Sequence, residues 1–339
     1  MIEHLKSGLS ISTHMGCELN CKYCVLSTMN GFNKGAVLQI SPENLIDELL
    51  NNCDYFKNGE TPLMINNRTE PFLPTVLPYT IKILDLLIQN NIISPVIIIS
   101  KFAPPKVLKN YFNKLKIMYF YSYSGIKTDF NYNKISTDLK IIKSIVPQNS
   151  RFHYFRPIIP GMNDDIVFMK RIINKFKNSN FCASIITGFR VTELNKHLIK
   201  DESIIIEDID HSHKLIDSSI YDILANKEYD IFRHTSCAIA NFLHSYNKLK
   251  YFNRKGHCIN TCPNYKTCSK KNISIQYILS ELNEQFKGQY QFNVNDNKIE
   301  VMNECDQELI AFIKNAFGCE VIAKNLKLSK SEEVILGAK

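Results

Sequence analysis

The chain has 339 residues, 45% of them apolar and 22% charged, with 12 glycines and 12 prolines, a composition that supports a buried core and excludes a fibrous or disordered protein. Its longest apolar run, residues 92–99, is broken by Ser94 and Pro95 and falls short of the roughly 18 residues a membrane-spanning helix requires, so no membrane partner is expected. The formal net charge of +8 is uneven, +11 over residues 1–271 and −3 over residues 272–339, and a basic main body suits an acidic partner or nucleic acid as well as an ordinary solvated surface. The first ten residues carry Glu3, His4 and Lys6 with no apolar stretch behind them, which predicts no secretory signal and a cytoplasmic, reducing setting.

Residues 9–187 alternate short β-like runs with amphipathic stretches, the pattern of a parallel α/β sheet. The predicted strands are 9–13, 62–66, 95–100, 117–122, 152–157 and 183–187. Ser41-Pro42 supplies an N-cap and a first-turn proline ahead of Leu45, Ile46, Leu49 and Leu50. Asn163 is expected to cap a helix whose Ile166, Phe168, Met169, Ile172, Ile173 and Phe176 keep helical spacing. Six βα units fall short of the eight of a full barrel, so the expected fold is an α/β partial (β/α)6 TIM barrel, curved and open on one side. After it, residues 191–272 are mixed, with a helix near 213–224, a strand near 229–234 and a cysteine-rich loop at 258–268. From residue 273 a small α+β unit is predicted: helix 275–286, strand 289–294, an Asn/Asp turn, strand 298–302, helix 309–317 and strand 320–323. The expected division is 1–190, 191–272 and 273–339.

The eleven cysteines are odd in number and partly clustered, which reads as metal or redox chemistry rather than as a disulfide framework. Cys17, Cys21 and Cys24 form C-x3-C-x2-C directly after the first predicted strand. Three thiolates in so short a loop reach three irons of one [4Fe–4S] cubane and leave the fourth iron open to a small ligand. A structural zinc site wants four closed ligands, for which His14 would have to serve as the fourth.

Cys17-Glu18-Leu19-Asn20-Cys21-Lys22-Tyr23-Cys24 resembles the cluster signature of the radical S-adenosylmethionine (SAM) superfamily in both spacing and position. The resemblance implies the partial barrel, an enzyme, and SAM held at the open iron. There it is reductively cleaved to a 5′-deoxyadenosyl radical that abstracts a substrate hydrogen, and a one-electron reductant of the flavodoxin or ferredoxin type is the implied partner. It also implies that Tyr23 lies against the adenine and that Glu70, in Asn66-Asn67-Arg68-Thr69-Glu70-Pro71, stands where the family carries Gly-Gly-Glu and receives the SAM amino group. Lys101 or Arg156 then pairs with the SAM carboxylate, and Ser122 and Ser124 suit the ribose diol. Three strand-end segments are similar to those of the spore photoproduct lyase-like branch: Thr69-Glu70-Pro71-Phe72-Leu73-Pro74, Ser100-Lys101-Phe102, and Pro157-Ile158-Ile159-Pro160-Gly161-Met162-Asn163-Asp164.

Cys237, Cys258, Cys262 and Cys268 follow the barrel and loosely resemble the auxiliary-cluster extensions called SPASM or twitch domains. A second [4Fe–4S] cluster is expected there, with zinc or no metal as alternatives and His257 as a substitute ligand. Cys53, Cys182, Cys305 and Cys319 read as core or boundary thiols, and His211 and His213 as an exposed helix start. The expected substrate is a peptide or protein, gripped by the C-terminal unit through strand addition. The alternative is a nucleic acid base, reached by extrusion from a duplex, and a non-enzymatic iron–sulfur module is the remaining reading.

Overall fold

The computed structural model describes residues 1–5, 7–28, 32, 35–192, 195–199, 214–215, 219–224, 228–243, 274–295, 298–317 and 320–327. The chain begins with an antiparallel hairpin, β1 (Ile2–Leu5) against β2 (Gly8–Ile11), and a short ribbon of β3 (His14–Met15) and β4 (Val37–Leu38) follows. From β2 onward the main sheet is built by parallel pairing of β5 (Leu63–Ile65), β6 (Val96–Ser100), β7 (Ile117–Ser122), β8 (Arg151–Ile158) and β9 (Ala183–Arg190) in chain order. These are the six predicted strands. Beyond residue 190 the sheet continues, with β10 (Lys214–Leu215) antiparallel and β11 (Asp230–Phe232) parallel to β9. Among the described residues the strand order leaves the sheet open rather than closed into a ring, as the expected partial barrel requires.

Both faces of this sheet are buried, which is why its strands read as near-continuous apolar runs. On the outer face, Leu9, Ile11, Leu63, Ile65, Ile98 and Tyr119 pack against the crossover elements. Those elements are α1 (Pro42–Asn51), α2 (Leu77–Gln89), the 3₁₀ helix Lys106–Tyr111, α3 (Ile135–Ile145) and α4 (Ile166–Lys177). On the concave face, Met64, Ile97, Met118, Phe120, Phe152 and Ile185 pack against Ala238 and Ile239. Those two residues lie on α6 (Thr235–Leu243), which follows the short α5 (Ser219–Leu224). The expected caps divide. Ser41 accepts from the Asn44 amide as predicted, but α4 is capped by Asp165, whose carboxylate accepts from the Phe168 amide at 2.7 Å. Asn163 instead accepts from the Ile159 amide at 2.7 Å and donates to the carbonyls of Ser124 and Pro157, both at 2.9 Å, tying the ends of β7 and β8 together.

The C-terminal unit comprises α7 (Ile275–Phe286), β12 (Phe292–Asn295), β13 (Lys298–Cys305), α8 (Gln307–Phe317) and β14 (Glu320–Leu326). β12 and β13 form the expected hairpin, and β14 returns parallel to β13. Ile278, Leu282, Phe286, Ile299, Val301, Phe312 and Ile313 make its own core. It docks on the start of the barrel through aromatic rings: His4 lies 4.2 Å from Tyr55 and 5.5 Å from Phe312, and Tyr55 lies 5.8 Å from Phe286.

Burial in that contact lowers the His4 pKa from 6.5 to about 4, opposed by the Asp306 carboxylate, and its buried Nδ1 has no hydrogen-bond partner. A histidine held neutral by the fold binds its proton more readily when unfolded, so its contribution is complete above pH 6.5 and is lost as pH falls towards 4. We expect the docked unit to lose about 1–2 kcal/mol between pH 7.5 and 5. Hydrogen exchange of Ile299 and Val301 across that range measures the loss, and His4→Phe flattens it.

Candidate functional site

The C-terminal ends of the parallel strands gather the predicted site residues, where an open α/β sheet places its ligands. Gly16, one residue before the first cysteine, has φ +96°, and a Cβ there would stand 2.1 Å from the Gly35 carbonyl. Only glycine lets the chain pass so close. The Gly16 amide donates to the Arg68 carbonyl at 3.2 Å and the Cys17 amide to the Phe32 carbonyl at 3.1 Å, so the thiol loop is braced from two sides. Asn20 turns the loop in the left-handed region at φ 48°, and the 3₁₀ helix Val25–Thr28 starts directly after Cys24.

All three thiols are half-buried. Burial pushes the Cys17 thiol up to about 11 and the Cys21 thiol up to about 12, and raises Cys24. The three act on one another electrostatically, and Lys101 opposes the shift at Cys21 and Cys24. Among the described residues, no three His, Cys, Asp or Glu side chains converge on one point as ligands of a single metal ion. The donor set is nonetheless three soft sulfurs on one braced loop, the chemistry that suits an iron–sulfur centre, and a cationic centre reverses the burial penalty on each thiolate.

Beside this loop lies a buried polar network centred on Asp129. Its carboxylate accepts from the Tyr23 hydroxyl at 2.7 Å, from the Lys101 ammonium at 2.9 Å and from the Ser124 hydroxyl. The Lys101 and Asp129 side chains are only 10% and 3% exposed. Tyr23 also packs against Ile126, Ile159, Phe189 and Val191, and burial raises its hydroxyl well above the usual tyrosine range. Glu70 is buried next to this network. It accepts from the Lys101 amide at 2.9 Å, from the Phe72 amide at 3.4 Å and from the Ser100 hydroxyl, and burial raises its pKa to about 7 against those donors. The loop that carries it is anchored by Asn66, at φ 50°, whose side chain accepts from the Thr13 amide at 2.9 Å and donates to Thr80 at 2.8 Å.

Of the residues expected from the sequence, Cys17, Cys21, Cys24, Tyr23, Glu70, Lys101 and Ser124 are therefore neighbours, while Ser122 joins the site through its backbone, its carbonyl accepting from Asn131 at 2.9 Å. Arg156 lies on the concave face, its guanidinium 4.6 Å over the Tyr154 ring. Cys237 lies on α6, against the apolar concave cluster. Cys258, Cys262, Cys268 and His257, with His211, His213 and Cys319, lie outside the described residues. Sequence reasoning missed Asp129 and Asn131, which bridge the ends of β6 and β7. The signal was present for Asp129, one of two acids in a lysine-rich stretch.

No protein-family model matches the sequence, and no curated protein matches it. Among solved structures, a mutant spore photoproduct lyase with bound AdoMet and dinucleoside spore photoproduct is 10% identical, with 56% of this chain and 59% of that chain covered and a TM-score of 0.46. Spore photoproduct lyase complexed with dinucleoside spore photoproduct is 11% identical, with 60% and 63% covered and a TM-score of 0.45. The chain thus spans about three-fifths of the length of these structures.

Removing the Asp129 carboxylate leaves a buried ammonium unpaired, which costs about 3–5 kcal/mol. Asp129→Ala is therefore expected to lower chemical-denaturation stability by that amount, and adding Lys101→Met to recover part of it; a double-mutant cycle on the two positions measures the difference.

Proposed function

We propose that this chain is a radical SAM enzyme. The observation that carries the reading is the braced three-thiol loop at the strand ends, standing against a buried carboxylate, Glu70, and a buried lysine, Lys101. The thiols of Cys17, Cys21 and Cys24 would hold the [4Fe–4S] cluster, which with bound SAM supplies a carbon radical after one-electron reduction. The chain's own part is binding and orientation. Glu70 offers its remaining lone pairs to an ammonium while Ser100 and the amides of Phe72 and Lys101 fix its carboxylate. Asp129 holds Tyr23 and Lys101 in place, so that the wall beside the cofactor is rigid before it binds. The apolar residues around Tyr23 exclude water from the reacting space.

For the substrate, the concave face favours a nucleic acid base over a peptide. Tyr154 and Arg156 form a stacked, half-buried pair there, and such a pair suits an aromatic ring or a phosphate. The peptide expectation rests on the second cysteine group and the C-terminal unit. We retain the second [4Fe–4S] cluster as a proposal, supported by the cysteine spacing alone.

Anaerobically reconstituted protein should convert SAM to 5′-deoxyadenosine and methionine with a chemical reductant. The triple variant Cys17→Ala, Cys21→Ala, Cys24→Ala should make none, and undiminished cleavage would remove the assignment. Iron remaining in that variant, and lost on further Cys262→Ala, would mark the second cluster; zinc or no metal would reject it. Glu70→Gln should weaken SAM binding about ten- to a hundredfold, the loss of one charge-assisted hydrogen bond, with iron content unchanged. Equilibrium dialysis with labelled SAM reads that change.

A further inference from the structure

Between residues 102 and 145 the chain carries eight lysines, no arginine and two carboxylates. All eight lysines are exposed, whereas both acids, Asp129 and Asp138, are buried. Asp129 is engaged by Lys101, Tyr23 and Ser124, and Asp138 accepts the Tyr121 hydroxyl at 2.6 Å. None of the ion pairs among the described residues uses any of the eight lysines. The 3₁₀ helix Lys106–Tyr111 and α3 pack side by side, so the outer wall they form presents charge of one sign.

An apolar tip stands at the rim of this wall. Phe130 is 40% exposed, its ring centroid lies 4.5 Å from that of Phe102, and the Lys134 ammonium sits 3.5 Å over it. Phe130 follows Asp129 in the chain, Asp129 binds the Tyr23 hydroxyl, and Tyr23 precedes Cys24. Two peptide links and one hydrogen bond thus join the exposed ring to the thiol loop.

We propose that this wall is the docking face for an acidic protein that donates one electron to the centre held by Cys17, Cys21 and Cys24. The inference rests on the radical SAM reading, which requires one electron from outside the chain for each cleavage. The donor's prosthetic group is oxidised by one electron, the cluster is reduced by one, and no bond of this chain forms or breaks. Three observations favour a protein donor over the substrate. The wall is on the convex side of the sheet, its Leu108, Ile135, Leu139 and Ile142 packed in the outer cluster, whereas the substrate face is concave. Its cations are all lysine, compact charges that steer a transient encounter, without the arginine forks that grip phosphate bidentately. And its exposed aromatic tip marks the short route to the thiols.

The test uses the reconstituted holoprotein and an acidic flavodoxin as donor. The variant Lys106→Glu, Lys109→Glu, Lys134→Glu, Lys140→Glu is expected to bind oxidised flavodoxin about tenfold or more weakly at low salt. Reduction of the cluster by reduced flavodoxin should slow by a similar factor, while 5′-deoxyadenosine formation with dithionite stays at the wild-type rate. The corresponding four Lys→Gln changes should give an intermediate loss, which separates charge from misfolding. Unchanged flavodoxin affinity in the Glu variant overturns the proposal. So does loss of a labelled single-stranded oligonucleotide with flavodoxin binding intact, which would assign the wall to nucleic acid. Failure of the wild type to cleave SAM with dithionite would remove the radical reading, and flavodoxin affinity would still decide the wall.

Discussion

The site depends on one buried carboxylate. Asp129 joins three chain segments through their side chains: the thiol loop through Tyr23, the end of β6 through Lys101 and the end of β7 through Ser124. Because Lys101 also donates its backbone amide to Glu70, the loop after β5 belongs to the same network. Each donor is satisfied by a charged acceptor out of water, where such bonds are strong and an orphaned partner is costly. The strand ends are thereby fixed relative to the cysteines by hydrogen bonds rather than by apolar packing, which cannot set the direction of a polar group.

Much of the barrel was legible in the sequence because parallel strands covered on both faces must be apolar on both faces. The run Val96-Ile97-Ile98-Ile99 shows this, with Ile97 on the concave side and Ile98 on the outer side. The thiol loop was legible because its residues are adjacent in the chain. Asp129 was not, because its role exists only through Lys101, 28 residues away, and Tyr23, 106 residues away. Asn163 misled for a related reason. Its residue type fits a helix cap, but two strand-end carbonyls compete for its amide and Asp165 is better placed to serve α4. Arg156 faces the concave side because side chains alternate along β8 and that register is set by Phe152 and Phe155 packing on opposite sides.

The two faces of the sheet therefore have different electrostatic characters. The concave face is apolar at its base and carries a stacked aromatic and guanidinium pair higher up, while the convex wall between residues 102 and 145 is uniformly cationic. A sheet only one residue thick separates them, and the thiol loop stands at the end common to both. That separation lets one ligand occupy the interior while another approaches from outside without competing for the same surface.

The docking of His4 and Tyr55 on Phe312 ties the first strand of the chain to one of its last helices. During synthesis, at about 5–20 residues per second, the N-terminal hairpin leaves the ribosome some 15–60 seconds before its aromatic partner exists. For that interval the rings of His4 and Tyr55 have no partner helix to cover them. A truncation that removed only the C-terminal unit would make this temporary exposure permanent, so loss of solubility rather than loss of the barrel is the failure to look for first.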